Sequence, residues 1–358
     1  MDKHIVVILG MHRSGTSALT RVLNLMGMDL GRELVPAEID NPKGFWEDAR
    51  IVAIHERFLQ DIERSSSDPR VFSERDWTGR AADAAQSALL QVLSNYRQEA
   101  GIWGVKDPRH CRLLPLWAPL YPQIGRSPHF LLTVRNPLEV AGSLEKRDRL
   151  PFRRGLLLWL INNLEALVQT QGSGRVIITF DQLLSAPEQV IDKIRSGLSL
   201  PWPELPEDFE TRMRGFLDPE LRHHRTPEPH RPVGEGLELV DSLLLEAWIG
   251  QVYTCLQTAA EHPQSAIDPA VYGIAANLSD RLIQLENLSA KERAPHFHQW
   301  FCPGNAWDRL QKADRVLSWL PILRPGKLLQ PAYALRYSLV KLRNTWRHGL
   351  GVEAKGGG

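Results

Sequence analysis

A largely apolar run, His4–Leu9, meets the turn Gly10-Met11-His12-Arg13-Ser14-Gly15-Thr16-Ser17, which leads straight into a stretch with helical spacing. Strand, glycine-bearing turn and helix start in that order make an anion cradle. The turn amides and the unpaired N–H groups of a first helical turn converge on one point. The helix dipole and the cation of Arg13 add to the same spot. The strand is continuous in β-branched residues, which suits a central parallel strand covered on both faces.

The spacing Gly10-x4-Gly15 fits a P-loop, but Thr16 stands where the P-loop lysine belongs. That lysine serves the β- and γ-phosphates, so its absence argues against a nucleoside triphosphate as donor. The loop is expected to bind a phosphate-like group without a γ-phosphate.

With 358 residues, 43% of them hydrophobic, the chain has material for one large α/β domain and an appendage. A net charge of +1 gives no sign of a nucleic-acid partner. The cysteines, Cys111, Cys255 and Cys302, are far apart in sequence. Neither a disulfide framework nor a cysteine zinc site is expected, and a reduced compartment follows. The first strand is too short for a signal sequence, and no stretch reaches the roughly 18 apolar residues of a membrane span. The expectation is a soluble, cytoplasmic protein.

Helical spacing recurs over 16–28, 50–62, 81–96, 138–147, 156–169 and 237–260. Strands are expected at 5–9, 102–105, 129–134 and 176–180. Alternating strands and helices imply a parallel sheet, with ligands at the carboxyl ends of its strands. The connections after Leu9, Val105 and Val134 would share that edge. The division drawn from the sequence is an α/β domain over 1–262 and a helical, basic extension over 263–358, open to partial disorder.

Arg135 ends the third strand, and Asn136-Pro137 opens a helix with proline at a favoured first-turn position. Ser143 lies about two turns on. Alone, the pair reads as a surface arginine and a helix serine. Beside the first loop, a second cation at the next strand end suggests a second phosphate on the same ligand.

Gly10 to Ser17 together with Arg135-Asn136-Pro137 and Ser143 resembles the sulfotransferase family, which uses 3′-phosphoadenosine 5′-phosphosulfate. The resemblance implies a P-loop-like parallel sheet flanked by helices. Arg13, Ser14, Gly15, Thr16 and Ser17 would wrap the 5′-phosphosulfate, and Arg135 and Ser143 would hold the 3′-phosphate. The segment from Val176 to Leu184 resembles a third family element, with Phe180 and Asp181 at its Tyr-Glu positions. Phe180 would leave adenine packing open while lacking a tyrosine hydroxyl.

Lys106-Asp107-Pro108-Arg109 resembles the Lys-Asp-Pro element of tyrosylprotein sulfotransferases, in which the lysine steadies the sulfate. Sulfuryl transfer resembles phosphoryl transfer, so fixed cations are needed where charge develops. Lys106 and Arg13 would supply them, with Arg109 as a secondary anion contact. The plain alternative pairs Lys106 with Asp107 at a strand end. No metal is required.

The acceptor hydroxyl needs a base. Asn41 to Asp48 loosely resembles a stretch of carbohydrate sulfotransferases and ends in adjacent carboxylates. Glu47 comes first, then Asp48, then Glu33 or Glu38. Equally, acids there cap the following helix, and one of the pair could do each job. His55 reads as a surface or core histidine. Trp46, Trp103, Trp117 and Trp159 read as core more readily than as stacking platforms. The basic tail, with Trp307, Trp319, Trp346, Arg315, Arg324, Arg336, Arg343 and Arg347, is open to peripheral contact with anionic lipid or polysaccharide, or to a solvated helix pair.

The resulting expectation is a sulfotransferase acting on a hydroxyl of a small molecule or glycan, a saccharide being the leading choice. Two rivals stand beside it: a P-loop kinase or NTPase with Asp107 as magnesium ligand, and a catalytically inactive nucleotide-binding module of the same fold.

Overall fold

The structure is a computed structural model that describes residues 4–38, 41–96, 101–217 and 242–286. All the described residues fall in the first of two units into which the chain divides, Met1–Phe301. The basic tail, with its tryptophans and arginines, lies outside the described residues.

The elements of the first unit run β1 His4–Leu9, α1 Thr16–Leu25, α2 Ala49–Asp61, α3 Arg80–Tyr96, β2 Ile102–Lys106, α4 His110–Trp117, α5 Leu120–Ile124 and β3 Ser127–Val134. After these come α6 Pro137–Asp148, α7 Phe152–Gln169, β4 Arg175–Thr179, α8 Phe180–Ser185, α9 Pro187–Leu198, α10 Phe209–Phe216, α11 Ser242–Glu261 and α12 Pro269–Glu286. The strands pair in the order β2-β1-β3-β4, every pair parallel. The expected α/β class and parallel sheet are what the structure has.

Alternation along β1 sorts its side chains into two cores. Ile5, Val7 and Leu9 face one layer with Val105, Leu132 and Ile177, packed against residues of α2, α3, α4, α7, α11 and α12. Val6 and Ile8 face the other with Leu131 and Ile178, packed against α1, α9 and α10. Both faces are therefore sealed, and the strands' carboxyl edge is left to carry polar chemistry.

The register places the three functional connections side by side. Ile8 pairs with Lys106, and Leu9 pairs with Leu132. The loops after β1, β2 and β3 thus leave the sheet at nearly one level. Helix α1 ends at Leu25, short of the expected Met28. Gly27 takes φ 99°, and Met28 N–H returns to Leu23 C=O at 3.0 Å in a glycine-terminated stop.

Helix α12 buries Val271, Ile274, Leu278 and Leu282 in the core shared with α7 and α11. Arg175 Nη2 also donates to Tyr272 Oη at 3.0 Å. The sequence reading also places no helix at α4, which carries Pro115 in its interior. No described helix is long and apolar enough to cross a membrane.

Candidate functional site

The cradle after β1 is built from unusual backbone. Gly10, Arg13 and Gly15 take φ 149°, 69° and 87°. A Cβ on Gly10 would lie 2.7 Å from the Thr133 carbonyl, and one on Gly15 would lie 2.2 Å from Cδ2 of the Phe180 ring. Only glycine meets both demands without strain. Gly10 N–H donates to Cys111 Sγ at 3.1 Å, Ser14 N–H to Met11 C=O at 3.1 Å, and Thr133 Oγ1 to Ser14 C=O at 3.2 Å. Burial pushes the Cys111 thiol up to about 12, so it stays a neutral acceptor. Helix α1 has neither a side-chain cap nor an acid in its first turn. Its N-terminus is open to an anion.

The second half of the site is hung on β3 and α6. Asn136 Oδ1 accepts from Leu138 N–H at 2.9 Å, and Pro137 opens the helix. Arg135 is buried and held from several directions. Its Nε donates to Glu139 Oε2 at 2.8 Å and its Nη1 to Arg13 C=O at 3.2 Å. Trp159 Nε1 donates to the Arg135 carbonyl at 3.0 Å, and the guanidinium lies 4.9 Å from the Phe180 ring centre. Arg13 Nε donates to Ser143 Oγ at 2.9 Å. Arg13, Arg135 and Ser143 are therefore brought together. Phe180, at a family tyrosine position, has one face on Arg135 and its ring edge against Gly15.

Lys106 forms a second focus beside α1. Its Nζ donates to Glu47 Oε1 at 2.5 Å, Phe45 C=O at 3.1 Å and Ser17 Oγ at 3.2 Å. Ser17 Oγ in turn donates to Phe45 C=O at 3.2 Å. Burial raises the Glu47 pKa, and the Lys106 charge only partly offsets it. The adjacent acids divide the work. Asp48 caps α2, accepting from Arg50 N–H at 2.9 Å and Ile51 N–H at 3.3 Å, while Glu47 faces Lys106. Glu33 is exposed and pairs with Arg50 at 3.4 Å. Glu38 is exposed as well. The structure brings neither to Lys106.

Asp107, the acid a magnesium nucleotide would need, is fully engaged. Its Oδ2 meets His55 Nδ1 at 2.8 Å, and its Oδ1 accepts from Arg109 N–H and Nη1, both at 2.9 Å. Burial alone would raise its pKa, but Arg109 and the His55 bond outweigh that and hold it well below the usual range. His55 is a core histidine, accepting at Nε2 from Trp117 Nε1 at 2.8 Å. Arg109 also binds Glu56 at 2.7 Å. The expected anion contact is thus largely neutralised by two carboxylates.

One site residue escaped the sequence reading. His12 lies inside the cradle, and burial together with the charge of Arg109 keeps its imidazole neutral. Its position between Met11 and Arg13 was in plain view, but no spacing rule gives such a histidine a role. His12 Nε2, Ser14 Oγ, Arg109 Nε and Arg135 Nη2 are all buried without a partner among the described residues. They lie on the three connections that leave β1, β2 and β3. Buried polar atoms are normally paired, so these four are available to a polar ligand at the sheet edge. Mostly cationic or neutral donors, they suit a polyanion. Among the described residues no group of three or more His, Cys, Asp or Glu is placed to hold a metal ion.

Residues 6–204 match the family model described as Sulfotransferase family. Among solved structures, the chain is similar to the "Sulfotransferase Domain from the Synechococcus PCC 7002 Olefin Synthase" at 16% identity and a TM-score of 0.36, covering 78% of this chain and 96% of that one. It is also similar to the "Sulfotransferase Domain from the Curacin Biosynthetic Pathway" at 16% identity and a TM-score of 0.33, covering 77% of this chain and 98% of that one. No curated protein matches the chain.

Proposed function

From the premise that the chain belongs to the sulfotransferase family, we propose that it moves a sulfuryl group from 3′-phosphoadenosine 5′-phosphosulfate to a hydroxyl acceptor, a saccharide. The observation that carries the donor assignment is the joining of two loops. Arg135 Nη1 bonds the Arg13 carbonyl while Arg13 Nε bonds Ser143. Two anion grips so close together fit one ligand with two anionic groups.

The residues present fit that donor. The open amides of Thr16 and Ser17, with the orphaned Ser14 hydroxyl, would hold the 5′-phosphosulfate. Arg135 Nη2 and Ser143 would hold the 3′-phosphate. Arg13 is assigned to the α6 side of the site through its bond to Ser143, which leaves Lys106 as the cation nearest the base. When bound, the donor supplies a sulfuryl group on a phosphate leaving group.

The chain's own work is then proton handling and charge placement. Glu47 takes the acceptor's hydroxyl proton at a carboxylate oxygen. Its raised pKa makes it a stronger base than an exposed glutamate. Lys106 holds a positive charge beside that oxygen, and Ser17 and the Phe45 carbonyl fix the ammonium. Preorganised charge of this kind stabilises developing anions without reorganisation. The saccharide assignment rests on the resemblance of Asn41 to Asp48 to carbohydrate sulfotransferases.

The test is an acceptor screen with sulfur-labelled donor. The unmutated chain should label a hydroxylated saccharide, and Glu47→Gln should do so about 10²-fold or more slowly. Stabilisation of the protein by Mg·ATP alone, with no response to adenosine 3′,5′-bisphosphate, would return the assignment to a nucleotide kinase.

A further inference from the structure

Trp46, immediately before Glu47, takes φ 60°. A bulky side chain rarely adopts the left-handed region, and glycine is the usual occupant. The preceding Gly44 shows that usual solution, at φ 91°. A tryptophan in such a backbone must be held there by its surroundings.

The holding contacts are all visible. Trp46 Nε1 donates to Lys43 C=O at 2.9 Å. The Arg21 guanidinium, from α1, lies 4.5 Å from the indole centre. Phe216, at the end of α10, meets the indole edge-on with centroids 6.2 Å apart. Lys43 Nζ donates to Phe216 C=O at 2.7 Å, tying the loop to α10. The chain beyond is pinned too, with Glu47 C=O accepting from Val35 N–H at 2.8 Å and Asp48 capping α2.

The consequence falls on both neighbours of Trp46. The Phe45 carbonyl and the Glu47 carboxylate, on either side of it, reach the same ammonium at 3.1 Å and 2.5 Å. The two groups differ in kind, one a backbone carbonyl and the other a side chain, and only the turn between them decides whether both meet one ammonium. The left-handed residue between them folds the chain so that they converge.

We propose that Trp46 is a positioning residue for the base: clamped by Arg21, Lys43 and Phe216, its left-handed backbone aims Glu47 at Lys106. The role rests on the reading of Glu47 as base given above. The indole therefore acts through Glu47 and need not touch substrate.

Carboxyl carbon NMR on glutamate-labelled protein tests this without turnover, the Glu47 signal being assigned by its loss in Glu47→Gln. Lys106 on β2 and Asp107 and Arg109 on the following connection are the charged groups that face Glu47. Arg21→Met and Trp46→Ala leave all three in place. Each should lower the Glu47 titration midpoint toward that of an exposed glutamate as water reaches the carboxylate. Trp46→Phe keeps a ring over Arg21 but loses the bond to the Lys43 carbonyl, so its midpoint should fall less than that of Trp46→Ala. Wild-type midpoints in both Arg21→Met and Trp46→Ala overturn the proposal, as does an equal fall in Trp46→Phe and Trp46→Ala. If Trp46→Ala does not fold, Arg21→Met decides. Titration with adenosine 3′,5′-bisphosphate runs in parallel. Failure of the unmutated chain to bind it counts against the sulfotransferase reading, while the Glu47 midpoint still judges Trp46.

Discussion

Arg135 Nη1 donates to the backbone carbonyl of Arg13 at 3.2 Å, across 122 positions of sequence. β1 and β3 are hydrogen-bonded neighbours, so the loops that leave them meet at one edge. The same guanidinium binds Glu139 through Nε and leaves Nη2 buried without a partner among the described residues. One side chain thus braces the first loop, pairs with an acid and keeps a donor for a ligand.

Those three roles need a planar fork. Arg135→Lys should therefore weaken binding of adenosine 3′,5′-bisphosphate by about 10-fold or more, although the charge is kept. Titration calorimetry checks this. A lysine variant with wild-type affinity would mean that charge alone is used.

Glu47→Gln should lower the turnover number for sulfuryl transfer by about 10²–10⁴-fold and leave bisphosphate affinity unchanged. Burial raises the Glu47 pKa, so its basic form appears only above the ordinary value of about 4.3. The acid limb of the activity profile should lie above that value and vanish in the variant. An unchanged limb would assign the base elsewhere.

Asp107 gives a stability prediction of opposite sign. Burial works against its ionisation, but Arg109 and His55 hold its pKa well below the usual range. Its contribution is therefore present above the unfolded value of about 3.9 and is lost as pH falls through the folded value. Asp107→Asn leaves Arg109 short of a buried partner and should cost about 3–5 kcal/mol at pH 7. The difference from wild type should shrink with acidification below about pH 4. Denaturant unfolding at several pH values measures it, and a pH-independent difference would refute the linkage.

Gly15→Ala meets two obstacles, a φ of 87° and the Phe180 ring 2.2 Å from the new Cβ. The backbone strain alone costs roughly 1–2 kcal/mol. Gly15→Ala with Phe180→Ala should relieve the clash and not the strain, so bisphosphate binding should stay impaired in the double variant. Full recovery of binding would show that the left-handed backbone is not needed.

Much of this was readable before folding. The strand-turn-helix at Gly10 to Ser17 carries its own geometry, and alternating apolar runs supplied the parallel sheet. The Glu47–Asp48 ambiguity could not be resolved locally, because both acids suit a helix start. Only the approach of Lys106 from β2 separates them. The commitment of Asp107 to His55 and Arg109 was equally invisible, since α2 and α4 meet only in the packed core. Helix α12 falls in the stretch expected to be helical, but its partners were not legible, since its apolar stripe has meaning only against α7 and α11. The left-handed Trp46 runs against propensity, and tertiary clamps of that kind leave no periodic signal.

The most direct test of the central claim is calorimetric titration of the chain, after dialysis against EDTA, with adenosine 3′,5′-bisphosphate. The account predicts saturable binding of one ligand per chain that needs no metal and is weakened in Arg135→Lys. Absence of bisphosphate binding, with Mg·ATP binding restored on adding magnesium, would contradict it.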